Sequence, residues 1–546
     1  MVVLRNLFCL FLTIGLCTSC GDSPFAEEDY TELDRETDDT DSSRITVGKY
    51  EIYDVDTEEK AVTLNYTLNL SEKSNVYFVF TNVSATGKQR PYVVTESQYA
   101  LRFNEENISA SSNERFLGKS GSKFITEQNE KIANDVANNF YKRSVSNTSN
   151  SKILKSYSQG DTANFKYAVG NSFSTAACTC RKVVTVGDVS VNIWVANDDW
   201  NTSGAEVTST HVDNIANKFL KTGTDNDIYD WDTSIAGAPW GEHDYPGNFI
   251  SKDTKDINIV VVDIDDDGSS AILTGYVGGY FYSGDCFFKS QVSSSNEGLF
   301  FYVDSYGTTF ADKTLQTTYS TLAHEFQHMI HFYQKTVCQG VDTSTWFNEM
   351  CSVAIEDFVG GKLGLTSTAY DSRFTTDNIP QLPTSHFLSW GNDLASYVSV
   401  YCFGAYLSRN FGGVQLFNKM IANSDKDGAA IVAAIEKQTE NTYTFEQVLK
   451  NWGVSQLLSD LKTTTVPYKN NNGSTFSSTL NSITYTYKSL NYHEKSLKIY
   501  DVDAEKSNLY GGQSAIMKEE SITGSNTWKF NIPSTVRLTV VKEVLN

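Results

Sequence analysis

The segment His324-Glu325-Phe326-Gln327-His328-Met329-Ile330-His331 decides how the rest of this chain is read. Three of the chain's seven histidines fall within it, and its first five residues form the pattern H-E-x-x-H. On a helix, positions four apart are separated by one turn plus about 40°, so the imidazoles of His324 and His328 project from one face. Two imidazoles so placed grip a tetrahedral Zn²⁺, whose Zn–N bonds are about 2.0–2.1 Å long. Glu325 then stands beside the ion, where a general base for an activated water is needed. Leu322, Phe326, Met329, Ile330 and Tyr333 recur at helical spacing and form an apolar stripe away from the two histidines. Such a helix has one side in a core and its polar face along a cleft. His331 shares the histidine face but lies roughly 10 Å along the axis from His324, too far for one ion to take all three. It reads as a cleft-edge or packing histidine.

The third ligand is sought downstream. Trp346-Phe347-Asn348-Glu349-Met350-Cys351-Ser352-Val353-Ala354-Ile355-Glu356-Asp357 reads as a second helix, apolar at 346, 347, 350, 354 and 358. Between His328 and Glu349 there is room for the first helix to end near Lys335, a loop through Gly340, and a second helix running back. Two histidines and one glutamate leave the fourth position of a zinc ion open, as hydrolysis requires.

These residues resemble the gluzincin metallopeptidases, which pair H-E-x-x-H with a later N-E-x-x-S, here Asn348 to Ser352. Within that group, Leu322-Ala323-His324-Glu325-Phe326-Gln327-His328-Met329-Ile330 is similar to the hyicolysin family of secreted bacterial zinc metallopeptidases. The resemblance covers roughly residues 185–462. It implies a thermolysin-like catalytic domain holding one Zn²⁺ on His324, His328 and Glu349, with Glu325 as general base. One departure stands out. Many gluzincins carry an Asp four residues after the third ligand to orient a zinc-bound histidine, and here that position is Val353. A metal-bound histidine needs an acceptor for its other ring N–H, and Glu356 or Asp357 is available for that task.

A further helix, Tyr397 to Leu407, runs toward Phe411-Gly412-Gly413. Aminopeptidase-type gluzincins place a tyrosine at the start of a similar helix, its phenol donating to the oxyanion of the tetrahedral intermediate. The resemblance makes Tyr397 that residue, with Tyr401 one turn later as the alternative; packing is the other role open to either in a chain with thirty tyrosines. No G-x-M-x-N segment of the kind that holds a substrate N-terminus appears upstream, which favours endopeptidase over exopeptidase action. Separately, Asp263-Ile264-Asp265-Asp266-Asp267-Gly268 matches the first half of a calcium loop, D-x-D-x-D-G, with Asp263, Asp265 and Asp267 as oxygen ligands for Ca²⁺. The twelfth position is Thr274 rather than Glu, so a solvated acidic turn is an equal reading.

With 546 residues, 40% of them hydrophobic and 13% aromatic, the chain has material for two to four domains. A net charge of −22 argues against nucleic acid or an anionic membrane surface as partner. Arg5 precedes an apolar run, Leu7 to Leu16, of signal-peptide length. Thr18-Ser19-Cys20-Gly21 then resembles a bacterial lipoprotein signal, with Cys20 as the lipidated residue; a plain secretory signal is the alternative.

The expected organisation is a signal peptide over 1–19 and an acidic disordered tether over 20–44. A β-rich N-terminal domain with a linker or pro-region follows over 45–165, then the zinc metallopeptidase domain over 166–465 and a β-rich C-terminal domain over 466–546. The fold class is therefore α+β, a catalytic domain flanked by β-rich domains. Alternation in Lys49-Tyr50-Glu51-Ile52-Tyr53 and Val76-Tyr77-Phe78-Val79-Phe80 supports the first of these, and a helix is expected near 125–142. Six cysteines beyond Cys20 fit either disulfides or inert buried thiols. The sum is an exported lipoprotein of the cell envelope or surface, touching membrane only through its lipid, whose partners are protein or peptide substrates. The rival is a surface adhesin or binding protein whose peptidase domain is inactive or latent; the intact Glu325 argues against an inactive one.

Overall fold

The computed structural model describes residues 30–38, 41, 43–57, 60–85, 88–89, 92–93, 119–120, 122–141, 156–201, 207–264, 277–311, 315–502 and 509–545. The region that carries the H-E-x-x-H is built on a seven-stranded sheet. Its strands are β1 (Lys119–Ser120), β2 (Thr162–Val169), β3 (Ser172–Val186), β4 (Val189–Ala196), β5 (Asp256–Val262), β6 (Val277–Phe281) and β7 (Leu299–Asp304), in the spatial order β1-β6-β7-β5-β4-β3-β2. The runs Ile259–Val262 and Leu299–Val303 are continuously apolar because both faces of these central strands are buried. β4, β5 and β7 are parallel neighbours, whereas β6 runs antiparallel to β7 and lies toward the edge.

Seven helices matter for the site: α1 (Lys123–Ala137), α2 (Ser209–Phe219), α3 (Ile228–Ala236), α4 (Gln316–His331), α5 (Thr345–Leu363), α6 (Ala369–Arg373) and α7 (Leu394–Phe411). α4 carries the H-E-x-x-H and packs against β6, β7, α3 and α5. Its stripe Leu322, Phe326, Met329 and Ile330 is buried, Phe326 against Phe219 of α2 and Phe301 of β7. β6 crosses α4 so closely that a Cβ on Gly279 would stand 2.6 Å from Thr321 Cγ2 and 2.7 Å from the Tyr302 carbonyl oxygen. Only glycine admits that approach, and it brings the sheet edge down onto the turn that holds Glu325.

Eight of the remaining described strands form a second sheet. The long strand Val62–Asn82 pairs antiparallel with Ser514–Ile532 on one side and Val536–Val544 on the other. Strands from 45–93 and 499–544, which fall in the expected flanking domains 45–165 and 466–546, thus share one sheet and one core, in which Leu64, Tyr66 and Phe78 meet Phe530, Leu538 and Val540. Alternation in each stretch shows that it is a strand, but not which strand it joins. The other face of this sheet packs on the helix Phe445–Leu457 through Tyr50, Tyr77, Val79, Val454 and Leu457. Residues 31–38, read from their charge as part of a tether, run parallel to 62–69, with Glu32 and Asp34 accepting from the Asn65 amide at 3.1 and 2.9 Å. The hairpin Thr475–Leu480/Ile483–Lys488 belongs to neither flank, since Tyr485 and Tyr487 are buried in the catalytic core. Each of the six cysteines is a free thiol, and five are buried.

Candidate metal centre

α4 and α5 pack side by side and bring three ligand atoms together. One nitrogen each from His324 and His328 and one oxygen from Glu349 all lie within 4.8 Å of one another, and all three residues are buried. His324 Nε2 is 3.1 Å and His328 Nε2 3.6 Å from the same Glu349 Oε2. Donors on a tetrahedral ion with bonds of about 2.05 Å are about 3.3 Å apart, so the cluster has the spacing and the donor set of a zinc site. The first helix, expected to end near Lys335, runs as α4 to His331 and continues as a π-helical stretch to Val337; the chain turns through Gly340 at φ 69°, and α5 starts at Thr345.

A second layer holds the imidazoles. His324 Nδ1 lies 2.7 Å from Glu356 Oε1, with its N–H donated to that oxygen and Nε2 turned to the cluster. Glu356 is in turn gripped by both Arg373 terminal nitrogens at 3.2 and 3.0 Å and accepts from Ser320 Oγ at 2.7 Å. This supplies the acceptor that Val353 cannot. His328 Nδ1 faces Asn348 Oδ1 at 3.0 Å and Ser352 Oγ at 3.1 Å, and the Ser352 hydroxyl donates to Gln327 Oε1. Second-layer partners of this kind fix the ring tautomer and raise ligand basicity. Ser320 and Arg373 carry no motif, although Ser320 stands one turn before His324 on its face. Arg373 comes from α6, a separate short helix, and no spacing rule connects it to Glu356.

The electrostatics favour positive charge between the carboxylates. Burial pushes Glu349 up, but His328 and His324 beside it hold it at about 2. Burial likewise acts upward on Glu356, and Arg373, His324 and Ser320 outweigh it, again to about 2. For His324, burial works downward, yet the hydrogen bonds to Glu349 and Glu356 raise it to about 10. Two buried anions flank one imidazole, a setting that suits a cation. His331 is different: its Nε2 is paired with Thr343 Oγ1 at 2.8 Å, and burial drives it far below the ordinary histidine range. It stands outside the cluster.

Glu325 is buried on the same turn, its Cγ 3.3 Å from where a Cβ on Gly279 would stand, so it lies between α4 and the β6 edge. The Tyr397 ring, at the start of α7, is 6.4 Å from the His324 ring and packs edge-on against Trp390 at 5.0 Å. Asp393 sets that start by accepting from the Ser396 N–H at 2.8 Å. Tyr401 points elsewhere: its hydroxyl donates to Asp357, which also binds Arg409, in a wholly buried network. A cavity of about 70 Å³ adjoins the cluster, bounded by His328, Asn348 and Glu349, by Phe281 of β6, and by Ile125 and Asn129 of α1. Of the calcium residues, Asp263 is described, its N–H donated to Asp199 Oδ2 at 2.9 Å. Asp265, Asp267 and Cys20 lie outside the described residues.

The chain is similar to a neutral metalloprotease, ShpI, of Staphylococcus hyicus, with 29% identity over 278 residues. The match takes in 48% of this chain and 56% of that protein, so the chain spans little more than half the length of this relative. The model of the family Peptidase M30 matches residues 171–521, a stretch that holds the H-E-x-x-H, Glu349, Glu356 and Tyr397 and covers well over half of the sequence. On that match the chain belongs to the peptidase M30 family.

Proposed function

We propose that this protein is a zinc-dependent endopeptidase with a thermolysin-like catalytic arrangement, acting on protein or peptide substrates. The observation that carries the reading is the convergence of His324 Nε2, His328 Nε2 and Glu349 Oε2, with both Nδ1 atoms already engaged by oxygen acceptors. A bound zinc supplies Lewis acidity, polarising the scissile carbonyl and lowering the pKa of water toward about 7. Glu356 and Asn348 keep the two imidazoles in the tautomer whose Nε2 lone pair faces the cluster. Glu325, held beneath the β6 edge, takes the proton of the attacking water and returns it to the leaving amine. Tyr397 donates its hydroxyl to the developing oxyanion, and burial of its ring limits competition by water.

Glu325→Gln tests the assignment. The variant is expected to retain one zinc per chain by elemental analysis and to lose activity on casein by about 10²–10⁴-fold. Equal activity of the two proteins would remove Glu325 from the mechanism; absence of zinc from the native chain would remove the reading itself. The rival reading, a binding protein with a retired site, predicts zinc in both and turnover in neither.

A further inference from the structure

The sheet edge nearest the metal cluster is β6, and residues from outside the catalytic sequence motifs cover it. β1 runs parallel to β6, with Lys119 opposite Val277 and Ser120 opposite Gly279, and it also borders α4. Farther along, the Asn129 carboxamide of α1 donates to the Phe281 carbonyl at 2.8 Å and accepts from the Ser283 N–H at 2.9 Å. In a parallel ladder, one residue bonds the C=O and the N–H that flank its partner. Asn129 satisfies that pair of main-chain groups, around Tyr282, with a side chain. The Ser283 hydroxyl adds a bond to Asn129 Oδ1 at 2.8 Å. From Val277 to Ser283, then, the edge beside Glu325 is dressed as though a strand lay along it.

α1 is anchored over the cleft as well. Ile125, Ile132 and Val136 are buried in the catalytic core, and Glu130 accepts from the Thr345 hydroxyl at the start of α5. Ile125 and Asn129 wall the cavity that also touches His328 and Glu349.

Extended peptides bind sheet edges by adding a strand, using the main-chain groups that the edge leaves open. We propose that residues 119–120 and 122–137 are a cover, built into the chain, on the edge at which an extended substrate pairs, and that the enzyme acts fully only when this cover is displaced. The inference rests on the peptidase reading above. The competition is unequal, because a tethered segment is present at an effective concentration of about millimolar order. A substrate at micromolar concentration gains the edge only when the cover lets go.

The test is Asn129→Asp in the full chain, which replaces the donor facing Phe281 O by a carboxylate oxygen. Three readings are taken on native and variant protein: zinc content, initial rate on a quenched casein, and amide hydrogen exchange over 277–283. The expected result is equal zinc, faster exchange at the edge with α4 and α5 unchanged, and a rate about tenfold higher in the variant. Faster edge exchange with an equal or lower rate overturns the cover and makes the segment a wall of the working site. An unchanged rate with unchanged exchange also overturns the role given to Asn129. If neither protein cleaves casein although the edge has opened and zinc is bound, the peptidase reading fails, and the cover with it. Thermal unfolding of both proteins identifies a variant that has failed to fold; in that case Asn129→Ser, which shortens the side chain beyond reach of Phe281 O, takes its place with the same outcomes.

Discussion

Replacing Glu356 tests whether the second layer does more than fill space. Glu356 touches no part of the proposed ligand cavity, yet it binds His324 Nδ1 at 2.7 Å and carries the buried Arg373 on two hydrogen bonds. Glu356→Gln keeps an acceptor for His324 but loses the charge, and Glu356→Leu loses both. Removing such a partner lowers metal affinity by about 10–100-fold; Gln belongs near the lower end and Leu near the upper, or about 1.4 and 2.7 kcal/mol. Each also strands Arg373 in the interior, which costs about 3–5 kcal/mol of stability. Arg373→Met separates the two effects, because it ends the ion pair while leaving Glu356 on His324. Zinc affinity is measured by chelator competition, and stability by urea unfolding of chelated protein. The expectation is that Arg373→Met loses stability but holds zinc within about threefold of the native value. Acid titration adds a check on sign. The Glu356 carboxyl sits at about 2 in the fold against an ordinary 4.5, so its stabilisation is complete above pH 4.5 and fades as the pH falls toward 2. Native zinc affinity in Glu356→Leu, or equal zinc loss in Arg373→Met and Glu356→Gln, would refute the orienting role.

Two other substitutions discriminate between neighbouring residues. Tyr397→Phe should cut kcat by about 10²–10³ with zinc content intact, whereas Tyr401→Phe should cost about 1 kcal/mol of stability by losing its bond to Asp357 and leave kcat unchanged; steady-state kinetics that rank them the other way would exchange their roles. Asp285 is wholly buried, and burial pushes it from 3.8 to about 7 although the Tyr302 hydroxyl and the Asn296 N–H bind it. The folded protein therefore holds a proton that the unfolded chain releases between those values, and stability falls as pH rises through this window. Asp285→Asn should flatten the dependence of Tm on pH between 4 and 7, by a free energy of about a few kcal/mol across the window.

Much of the site was legible because the chemistry is local in sequence. His324, Glu325 and His328 share one helical turn and its continuation, and Glu349 lies within the reach of one helix-loop-helix. The apolar stripe from Leu322 to Ile330 marks the buried side of α4, where Phe326 packs against Phe219 and Phe301. Glu356 was within sight because it sits two turns past Glu349 on α5, although spacing alone did not separate it from Asp357. The structure separates them: Glu356 faces α4 and His324, while Asp357, rotated about 100° around the helix, faces α7 and Arg409. Arg373 was invisible, since a counter-ion contributed by a different helix leaves no trace in either segment's pattern.

The larger architecture was less legible, for a related reason. Period-two alternation in 62–82 and in 514–544 reports that each segment has a face to bury, but the face is the same whether the partner is adjacent or more than four hundred residues away. Here the partner is distant: Phe530 lies opposite Leu64, and Leu538 opposite Phe80. Such pairing ties Val62–Asn82 to Ser514–Ile532 and Val536–Val544 in one sheet. In sequence, α1 lies between the first group of strands and β2. Together with β1 it lies against β6, the strand that packs on α4. A polar stretch that composition reads as linker or pro-region thus lies against the edge beside Glu325, where its Asn129 makes the hydrogen bonds a strand would make.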